Sequence, residues 1–250
     1  SVLSVLPNVA KLQKVMNRMQ PLYRKKHSAI YTENINRIRS ALQYADEGQA
    51  AKVIQLTSSV EGEGKSTLSF NLAIACAHLG KKTLIIDADM RRPQLQRVIK
   101  KNEGDNGKGL SDWLQGGISL AEAIKDCKYD PDLQVMPSGS RTASPLELLS
   151  SEAFDRLIVT LREHYDHVII DSPPILPVAD GLEIGRRVDG VIMVIEAEKT
   201  QSTVVKQAIA QMDEADIVPF GAVLSKLTET ASEYYYPRRY YGYYYGESNS

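Results

Sequence analysis

Residues 53–67 combine residue types that could bind a polyphosphate. An apolar run at residues 53–56 enters a turn with two glycines, and this turn leads through Lys-Ser-Thr into a segment with helical spacing that ends at Gly80. Glycines let backbone N–H groups face phosphate oxygens, and a helix N-terminus adds partial positive charge. In such a loop the lysine reaches the β- and γ-phosphates and the serine hydroxyl ligates Mg²⁺. The predicted nucleotide-binding residues are Gly62, Glu63, Gly64, Lys65, Ser66 and Thr67.

The loop departs from the G-x-x-x-x-G-K-[ST] pattern at one position, because Ser59 stands where the first glycine usually lies. A dinucleotide-binding fingerprint is a competing interpretation: Gly62-x-Gly64-x-x-Thr67 nearly matches it, and Asp87 follows at about the distance of a ribose-binding acid. That fingerprint lacks its third glycine here and leaves Lys-Ser without a role, so the phosphate-binding loop is favoured. A turn that only joins strand to helix has no need of Lys-Ser-Thr.

Three aspartates follow predicted buried strands. Residues 83–86 lead into Asp87 and Asp89, and residues 167–170 lead into Asp171 and two prolines. Asp171 is predicted to hold Mg²⁺ directly or through water, because the prolines that follow exclude a helix that it could cap. Asp87 and Asp89 either reach the metal or orient the proton of a nucleophile.

The order of the predicted elements indicates an α/β fold. Between residues 53 and 224, short apolar runs alternate with helical segments, which predicts a mostly parallel sheet with helices on both faces. Ligands of such sheets bind beyond the carboxyl ends of the strands. The glycine loop and the three aspartates all fall at those ends, so we expect them to form one site. Ahead of this region, residues 33–44 have the spacing of a helix that packs on the domain or on a neighbour.

Composition and charge limit the class of protein. A chain of 250 residues fits one large α/β domain or two small ones, and its net charge of −1 gives no support for a nucleic-acid binder. There is no signal peptide and no apolar run long enough to span a membrane, and Cys76 and Cys127 lack metal-binding spacing. Residues 1–32 carry +6 and no acid, which is typical of a cytoplasmic juxtamembrane stretch or of a flexible solvated arm. Because the chain begins without Met, it is interpreted as a fragment.

Residues 228–250 differ in kind from the rest of the chain. They hold eight of the 13 tyrosines and follow neither a strand nor a helix period, so we expect disorder in isolation. Tethered to a phosphate site, this tail would present a high local concentration of hydroxyl acceptors. The predicted acceptors are Tyr234, Tyr235, Tyr236, Tyr240, Tyr241, Tyr243, Tyr244 and Tyr245.

The identity of the nucleophile separates the possible functions. Attack by water makes the site an ATPase, whereas attack by a tyrosine hydroxyl, with its ordinary pKa of about 10, makes it a kinase. Stacking of the tail on nucleic acid is a competing interpretation, weakened because only two arginines accompany the tyrosines and two acids, Glu233 and Glu247, flank them. A sticky low-complexity tail is another interpretation. Arg91 and Arg92 are candidates to offset charge on the γ-phosphate or to lie on a subunit contact.

These motifs together resemble the bacterial tyrosine autokinases (BY-kinases), whose cytoplasmic kinase domains belong to membrane proteins that govern capsule and exopolysaccharide export. Residues 58–67 resemble the family's Walker A motif, residues 84–93 its Walker A-prime motif and residues 168–174 its Walker B motif. Residues 109–112, residues 145–149 and the terminal tyrosines also match, so the resemblance covers nearly the whole chain.

The resemblance implies a P-loop NTPase fold and an ATP-dependent, non-specific protein-tyrosine kinase that autophosphorylates its own tail. It implies Mg·ATP at Lys65 and Ser66, with metal contacts from Ser66, Asp89 and Asp171. Asp87 would contact the metal and the incoming tyrosine hydroxyl, so Lys65, Asp87, Asp89 and Asp171 are the catalytic residues. The implied division is a basic juxtamembrane segment (1–32), a kinase domain (33–227) and a tyrosine-cluster tail (228–250).

Partners also follow from the resemblance. It implies a ring-shaped homo-oligomer in which one tail enters the neighbouring site and which is lost once the tyrosines are phosphorylated. The intact protein would have transmembrane helices and a periplasmic region before Ser1, which would hold the kinase at the cytoplasmic face of the bacterial inner membrane. A cognate tyrosine phosphatase and the polysaccharide export machinery are expected partners, and nucleic acid is not.

Two positions depart from the family's pattern. The ring-forming E-x-x-R-x-x-R helix is here Glu33-x-x-Asn36-x-x-Arg39, so Arg37 is a candidate substitute at the oligomer contact. Ser225 stands where relatives usually place Asn near the adenine, and it is predicted to contact the nucleotide. The main alternative is a MinD/ParA-like ATPase switch, whose signature lysine would stand at the position of Val60. A non-catalytic nucleotide-gated scaffold is a third interpretation.

Overall fold

The computed structural model describes residues 1–8, 21–23, 29–43, 51–100 and 107–228. Within these ranges the chain folds around an eight-stranded sheet with the strand order β1-β8-β7-β2-β6-β3-β5-β4. The pairs are parallel except for β4 with β5. The strands are β1 (Val2–Pro7), β2 (Val53–Ser58), β3 (Thr83–Asp87), β4 (Lys125–Asp126), β5 (Leu133–Met136), β6 (His167–Asp171), β7 (Gly190–Glu196) and β8 (Pro219–Leu227).

Helices cover both faces of this sheet, as the alternating sequence pattern predicts. They are α1 (Ala29–Leu42), α2 (Lys65–Ala77), α3 (Leu110–Leu114), α4 (Leu120–Ala123), α5 (Pro145–Leu149), α6 (Glu152–His164), α7 (Asp180–Gly185) and α8 (Ser202–Glu214), with a 3₁₀ turn at Leu95–Val98. Among the described residues, no helix is both long enough and apolar enough to cross a bilayer.

The central strands β2, β3 and β6 are buried along nearly their whole length. Successive side chains point to opposite faces of the sheet. In β3, Ile85 packs in the cluster that contains α1 and α2, whereas Leu84 and Ile86 pack in the cluster that contains α6. Strands buried on both faces have continuous apolar sequences, which is why the sequence alone predicts these three strands.

The strand order brings the predicted site together. β6 lies between β2 and β3, so that Asp171 is the register partner of Leu56 on one side and of Asp87 on the other. The carboxyl ends of the three strands are therefore adjacent. The predicted α/β fold is confirmed, and its geometry supports one site rather than several.

Strand β1 is not predicted by the sequence pattern. It pairs in parallel with β8 at the edge of the sheet, with Ser4 and Leu6 buried. The strand belongs to the segment interpreted as a basic juxtamembrane stretch, whose six basic residues lie outside the described ones. The division of the chain at residue 32 stays a prediction.

Two other elements differ from expectation. Helix α2 begins at Lys65 rather than at residue 68, because Gly64 takes a left-handed φ of 95° immediately before it and turns the loop into the helix. The glycines at either end of residues 109–116 indicate a turn in the sequence, but the segment contains the short helix α3. This helix forms because the Asp112 carboxylate accepts a hydrogen bond from the Gly109 N–H at 2.9 Å, which caps its first turn.

Candidate active site

The glycine loop has the backbone of a phosphate cradle. Gly62 and Gly64 adopt φ values of 83° and 95°, which are left-handed conformations that favour glycine. Lys65 is the first residue of α2, so the first N–H groups of the helix, which have no intrahelical acceptor, lie at the loop. The loop therefore has the glycine conformations and the helix start that the sequence predicts.

Lys65 makes its ion pairs with two predicted acids. Its Nζ lies 3.0 Å from Asp89 Oδ2 and 3.8 Å from Asp171 Oδ1, and all three side chains are nearly buried. Burial lowers the pKa of Lys65, but the charges of Asp171 and Asp89 outweigh it and raise that pKa above its ordinary value. The lysine is therefore an ammonium group at neutral pH, ready to pair with an anion.

Asp171 lies at the centre of the site. Burial raises its pKa above the ordinary value, although Lys65 and hydrogen bonds from the Ser66 and Ser69 hydroxyls partly offset that effect. The Ser69 hydroxyl lies 3.3 Å from Oδ1, while the buried Oδ2 has no hydrogen-bond partner. A buried carboxylate oxygen without a partner is costly, and a cation beside the Ser66 hydroxyl would satisfy it.

Asp87 is fully buried beside Asp171. Its Oδ2 accepts hydrogen bonds from the backbone N–H groups of Gln94 and Leu95, both at 2.8 Å, and its Oδ1 has no partner. Burial, followed by the charge of Asp171, raises the pKa of Asp87 to about 7. Sequence reasoning places Asp87 in this cluster but gives no sign of the two backbone bonds, which depend on the path of residues 91–95.

These groups fit a magnesium ion held jointly with a nucleotide. Mg²⁺ takes one or two carboxylates with a hydroxyl, substrate phosphates and water rather than a cage of protein ligands. Asp171 and Asp89 beside Ser66 offer that set. Within the described ranges, no group of three or more His, Cys, Asp or Glu side chains is arranged to hold a metal ion by itself.

Both arginines after the acids are engaged in ion pairs. Arg91 forms a double contact with the buried carboxylate of Asp180 at 2.8 and 3.1 Å, so it ties the loop after β3 to α7. Arg92 pairs with Glu61 of the glycine loop, and its backbone N–H donates to Asp89 at 3.0 Å. Neither guanidinium forms an ion pair with Asp89 or Asp171, the two partners of Lys65, in this structure.

Ser225 and Glu63 occupy one side of the loop. The Ser225 hydroxyl donates a hydrogen bond to the backbone oxygen of Glu63, and Ser225 is buried. The Glu63 side chain is directed to the turn after β7 rather than to Lys65. Sequence reasoning missed this turn, residues 196–200, and also Lys226, because no motif marks either.

The residues predicted for the oligomer contact lie on α1. Glu33 and Arg37 are exposed, 3.9 Å apart, and form an i,i+4 pair. Arg39 instead packs inward, where its guanidinium donates to the backbone oxygen of Ala75 on α2 at 3.4 Å. Asn36 accepts a hydrogen bond from the Tyr23 hydroxyl at 2.9 Å. The eight predicted acceptor tyrosines lie outside the described residues.

A glycine cradle, a lysine at the helix start and acids at the ends of two neighbouring parallel strands define a P-loop nucleotide-binding protein. An AAA domain family model matches residues 51–218. The chain is 35% identical to tyrosine-protein kinase CpsD of Streptococcus agalactiae over 220 residues. This alignment covers 88% of this chain and 93% of CpsD. It is 36% identical to tyrosine-protein kinase YwqD of Bacillus subtilis over 185 residues. That alignment covers 73% of this chain and 76% of YwqD.

Solved structures agree with these relatives. The kinase domain of the Escherichia coli tyrosine kinase ETK superposes with a TM-score of 0.80 at 25% identity, over 92% of each chain. The chain belongs to the bacterial tyrosine-protein kinase family and is a protein-tyrosine kinase of the P-loop type, which confirms the resemblance drawn from its motifs.

The MinD-like alternative receives weaker support. The septum site-determining protein MinD of Pyrococcus horikoshii, complexed with Mg-ADP, superposes with a TM-score of 0.58 at 24% identity over 69% of each chain. That likeness concerns the fold alone. Val60, which stands where MinD/ParA-like proteins carry their signature lysine, donates its backbone N–H to Glu63 at 2.9 Å.

Proposed function

We propose that this chain binds Mg·ATP at its glycine loop and transfers the γ-phosphoryl group to tyrosines of its own C-terminal tail. The observation that carries the proposal is the arrangement of Lys65 against Asp89 and Asp171 at the loop, 3.0 and 3.8 Å away. The lysine is paired with these carboxylates in the structure. When Mg·ATP binds, the metal ion would pair with these carboxylates, and the Lys65 ammonium would become available to the phosphate oxygens.

Each residue has a proposed part in the transfer. Lys65 binds the β- and γ-phosphates, and Ser66, Asp89 and Asp171 hold the metal ion. Bound Mg²⁺ neutralises charge on the phosphate oxygens. The backbone N–H groups at Gly62, Gly64 and Thr67 complete the cradle. Ser225, buried against the loop, would contact the nucleotide.

Asp87 positions the hydroxyl group of the acceptor tyrosine and accepts its proton. The tyrosine oxygen forms a bond to the γ-phosphorus, the bond from that phosphorus to the bridging oxygen breaks, and ADP leaves. The phenol proton passes to the free Oδ1 of Asp87 and from there to solvent. A pKa of about 7 in the nucleotide-free chain suits a group that exchanges a proton near neutral pH.

The acceptors are the eight tail tyrosines, and transfer runs between molecules. Tethering of the tails within a ring would raise their local concentration at neighbouring sites. A ring of identical subunits, a cognate phosphatase and the polysaccharide export machinery are the proposed partners. The proposed place is the cytoplasmic face of the bacterial inner membrane, where the kinase regulates capsule or exopolysaccharide polymerisation and export.

Mapping of phosphotyrosine tests the proposal. The chain is incubated with Mg·ATP beside Lys65→Met and beside a chain truncated at Thr228, and modified residues are identified by mass spectrometry. We expect phosphotyrosine on the tail of the unaltered chain and none on Lys65→Met. Label that persists in Lys65→Met would exclude this site as its source. Hydrolysis of ATP without phosphotyrosine would favour the ATPase alternative.

A mixing experiment tests transfer between molecules. Lys65→Met with its tail is the acceptor, and the active chain truncated at Thr228 is the enzyme. We expect the tail of the inactive chain to be labelled, at a rate that rises with the concentration of the truncated chain. No labelling in that mixture would contradict transfer in trans.

A further inference from the structure

Glu63 is a buried acid inside a loop that has to accept a polyphosphate. It lies between the two cradle glycines and is 1% exposed. Its Oε2 accepts a hydrogen bond from the Val60 N–H at 2.9 Å. Its Oε1 accepts from the Glu196 N–H at 3.1 Å and from the Thr200 hydroxyl at 2.5 Å. Both carboxylate oxygens are thus satisfied by the loop itself and by the turn after β7.

Two further contacts join the same pieces of chain. The Ser225 hydroxyl donates to the backbone oxygen of Glu63, and the Lys226 ammonium donates to the backbone oxygen of Gly62. Lys226 also pairs with the Glu196 carboxylate at 3.0 Å. Lys226 has a φ of 57°, a left-handed conformation that costs energy for a residue other than glycine. This conformation of Lys226 places its side chain within reach of the phosphate loop.

Simple electrostatics argue against an acid at position 63. A carboxylate beside bound phosphates repels them, and its burial is costly unless hydrogen bonds compensate for it. Here three donors compensate for it, and two of them come from residues more than 130 positions away along the chain. The Glu63 carboxylate therefore links the phosphate loop to a turn that is distant along the chain.

We propose that Glu63 is a positioning residue that fixes the phosphate loop in its nucleotide-binding conformation by joining it to residues 196–200, with the Thr200 hydroxyl as the outer contact. This inference rests on the proposed binding of ATP at the loop. A loop that is ordered before binding loses less conformational entropy when nucleotide arrives. The loop binds the β-phosphate equally well in the ground state and in the transition state. Loss of loop order therefore raises KM for ATP and leaves kcat unchanged.

Thr200 offers the sharpest test because it is only partly buried and its substitution does not threaten the core. Thr200→Val removes the hydroxyl at constant shape, and we expect a rise in KM for ATP of about fivefold, the effect of one net hydrogen bond, with unchanged kcat. Thr200→Ser restores the hydroxyl and should stay within about twofold of the unaltered chain. Thr160→Val is the matched control, since Thr160 bonds within helix α6 to the Arg156 backbone.

Glu63 itself provides the second variant. Glu63→Ala leaves the N–H groups of Val60 and Glu196 without their acceptor, so we expect KM for ATP to rise by about 30-fold or more. Binding of a fluorescent ATP analogue, titrated with Mg²⁺ present, should weaken in the same order across the variants. Thermal unfolding identifies any variant that fails to fold, in which case Thr200→Val decides.

The outcomes separate this inference from the proposed function. Equal KM values for Thr200→Val and the unaltered chain would overturn the positioning role while leaving ATP-dependent phosphorylation intact. A fall in kcat at constant KM would also overturn it, because the contact would then act on the transition state. If the unaltered chain bound the ATP analogue no better than Lys65→Met does, the proposed function and this inference would both fall.

Discussion

Lys65 compensates the charge of two buried carboxylates, so its replacement should affect stability as well as activity. Removal of one partner from a buried ion pair costs about 3–5 kcal/mol, because the other partner is left charged and unpaired. The pKa of Lys65 lies above its ordinary value, so it stays an ammonium group throughout the range from pH 5 to pH 8. Burial raises the pKa of Asp171, so this carboxyl takes up a proton at a higher pH than an ordinary aspartate does.

We therefore predict that Lys65→Met destabilises the nucleotide-free chain more at pH 8 than at pH 5. Lower pH favours protonation of Asp171, which removes a buried charge that the lysine no longer compensates. Thermal unfolding at the two pH values measures the difference, with Lys206→Met, at an exposed position on α8, as the control. An equal loss of stability at both pH values would show that the lysine contributes packing rather than charge.

Asp87→Asn should separate function from stability. The folded chain holds a proton on Asp87 up to pH about 7, whereas in the unfolded chain this carboxyl ionises at its ordinary value near 3.8. Between those values the folded state binds more protons, so this group makes stability fall as pH rises. Asparagine is neutral and its amide oxygen still accepts the N–H bonds of Gln94 and Leu95.

We predict that Asp87→Asn raises the free energy of unfolding at pH 8 by at least about 1 kcal/mol, since one pKa unit corresponds to about 1.4 kcal/mol. We also predict that it abolishes phosphotyrosine on the tail. Urea unfolding at pH 4.5, 6 and 8 without nucleotide measures the first effect, with the exposed Asp213→Asn as the control. Parallel pH profiles for Asp87→Asn and the unaltered chain would refute the assigned pKa.

The sequence predicts which residues meet at the site better than it predicts what each one bonds to. Lys65, Asp89 and Asp171 were expected together, because a motif and the ends of parallel strands share one edge of the sheet, and they are together. Glu63 was expected to bind nucleotide only through its place in the loop. Its link to Thr200 depends on residues distant along the chain, and no local pattern records such a contact.

At the scale of elements, the loop at residues 137–140 shows how tightly the sheet edge packs against α3. Asp112 accepts hydrogen bonds from the Gly109 and Ser140 N–H groups, both at 2.9 Å. Gly139 has a φ of 84°, and a Cβ there would lie 2.5 Å from Asp112 Oδ2 and 2.7 Å from Ser111 Oγ. A side chain at this position would push α3 off the loop.

We predict that Gly139→Ala lowers the free energy of unfolding by about 2 kcal/mol or more, from backbone strain and from displacement of Asp112. Gly116→Ala is the matched control: its φ is 75°, but a Cβ there would meet nothing within 4 Å. It should cost about 1 kcal/mol, the strain alone. Denaturant unfolding of both variants measures the difference, and equal losses would mean that the contacts with Asp112 carry no energy.

Elements differ in how well the sequence predicts them. β3 and β6 lie where the sequence predicts buried strands, since each is an apolar run that leads into an aspartate. β1 escaped prediction because its six residues gain their stability from pairing with β8, more than 200 positions along the chain. Long-range pairing of this kind overrides local propensity.

At the scale of the whole molecule, the position of α1 decides whether the predicted oligomer contact is available. Ile35, Ile38 and Leu42 are fully buried, so the helix is anchored on the domain through that face. Arg39 belongs to the anchored side, since its guanidinium reaches the Ala75 backbone oxygen. Arg37 and Glu33 lie on the exposed side, where a neighbouring subunit could pair with them.

We predict that Arg37→Glu dissociates the proposed ring without changing the thermal unfolding temperature, whereas Arg39→Ala lowers that temperature. The exposed pair of Arg37 with Glu33 contributes at most about 0.5 kcal/mol within one subunit, so the effect of a reversed charge would come from the neighbour. Arg156→Glu is the matched control, because Arg156 forms the same i,i+4 pair with Glu152 on α6, at 3.5 Å. Sedimentation velocity measures assembly, and phosphotyrosine labelling should fall with it, since a tail must reach a neighbouring site. A ring that persisted in Arg37→Glu and was lost in Arg39→Ala would move the contact to the α1–α2 side of the domain.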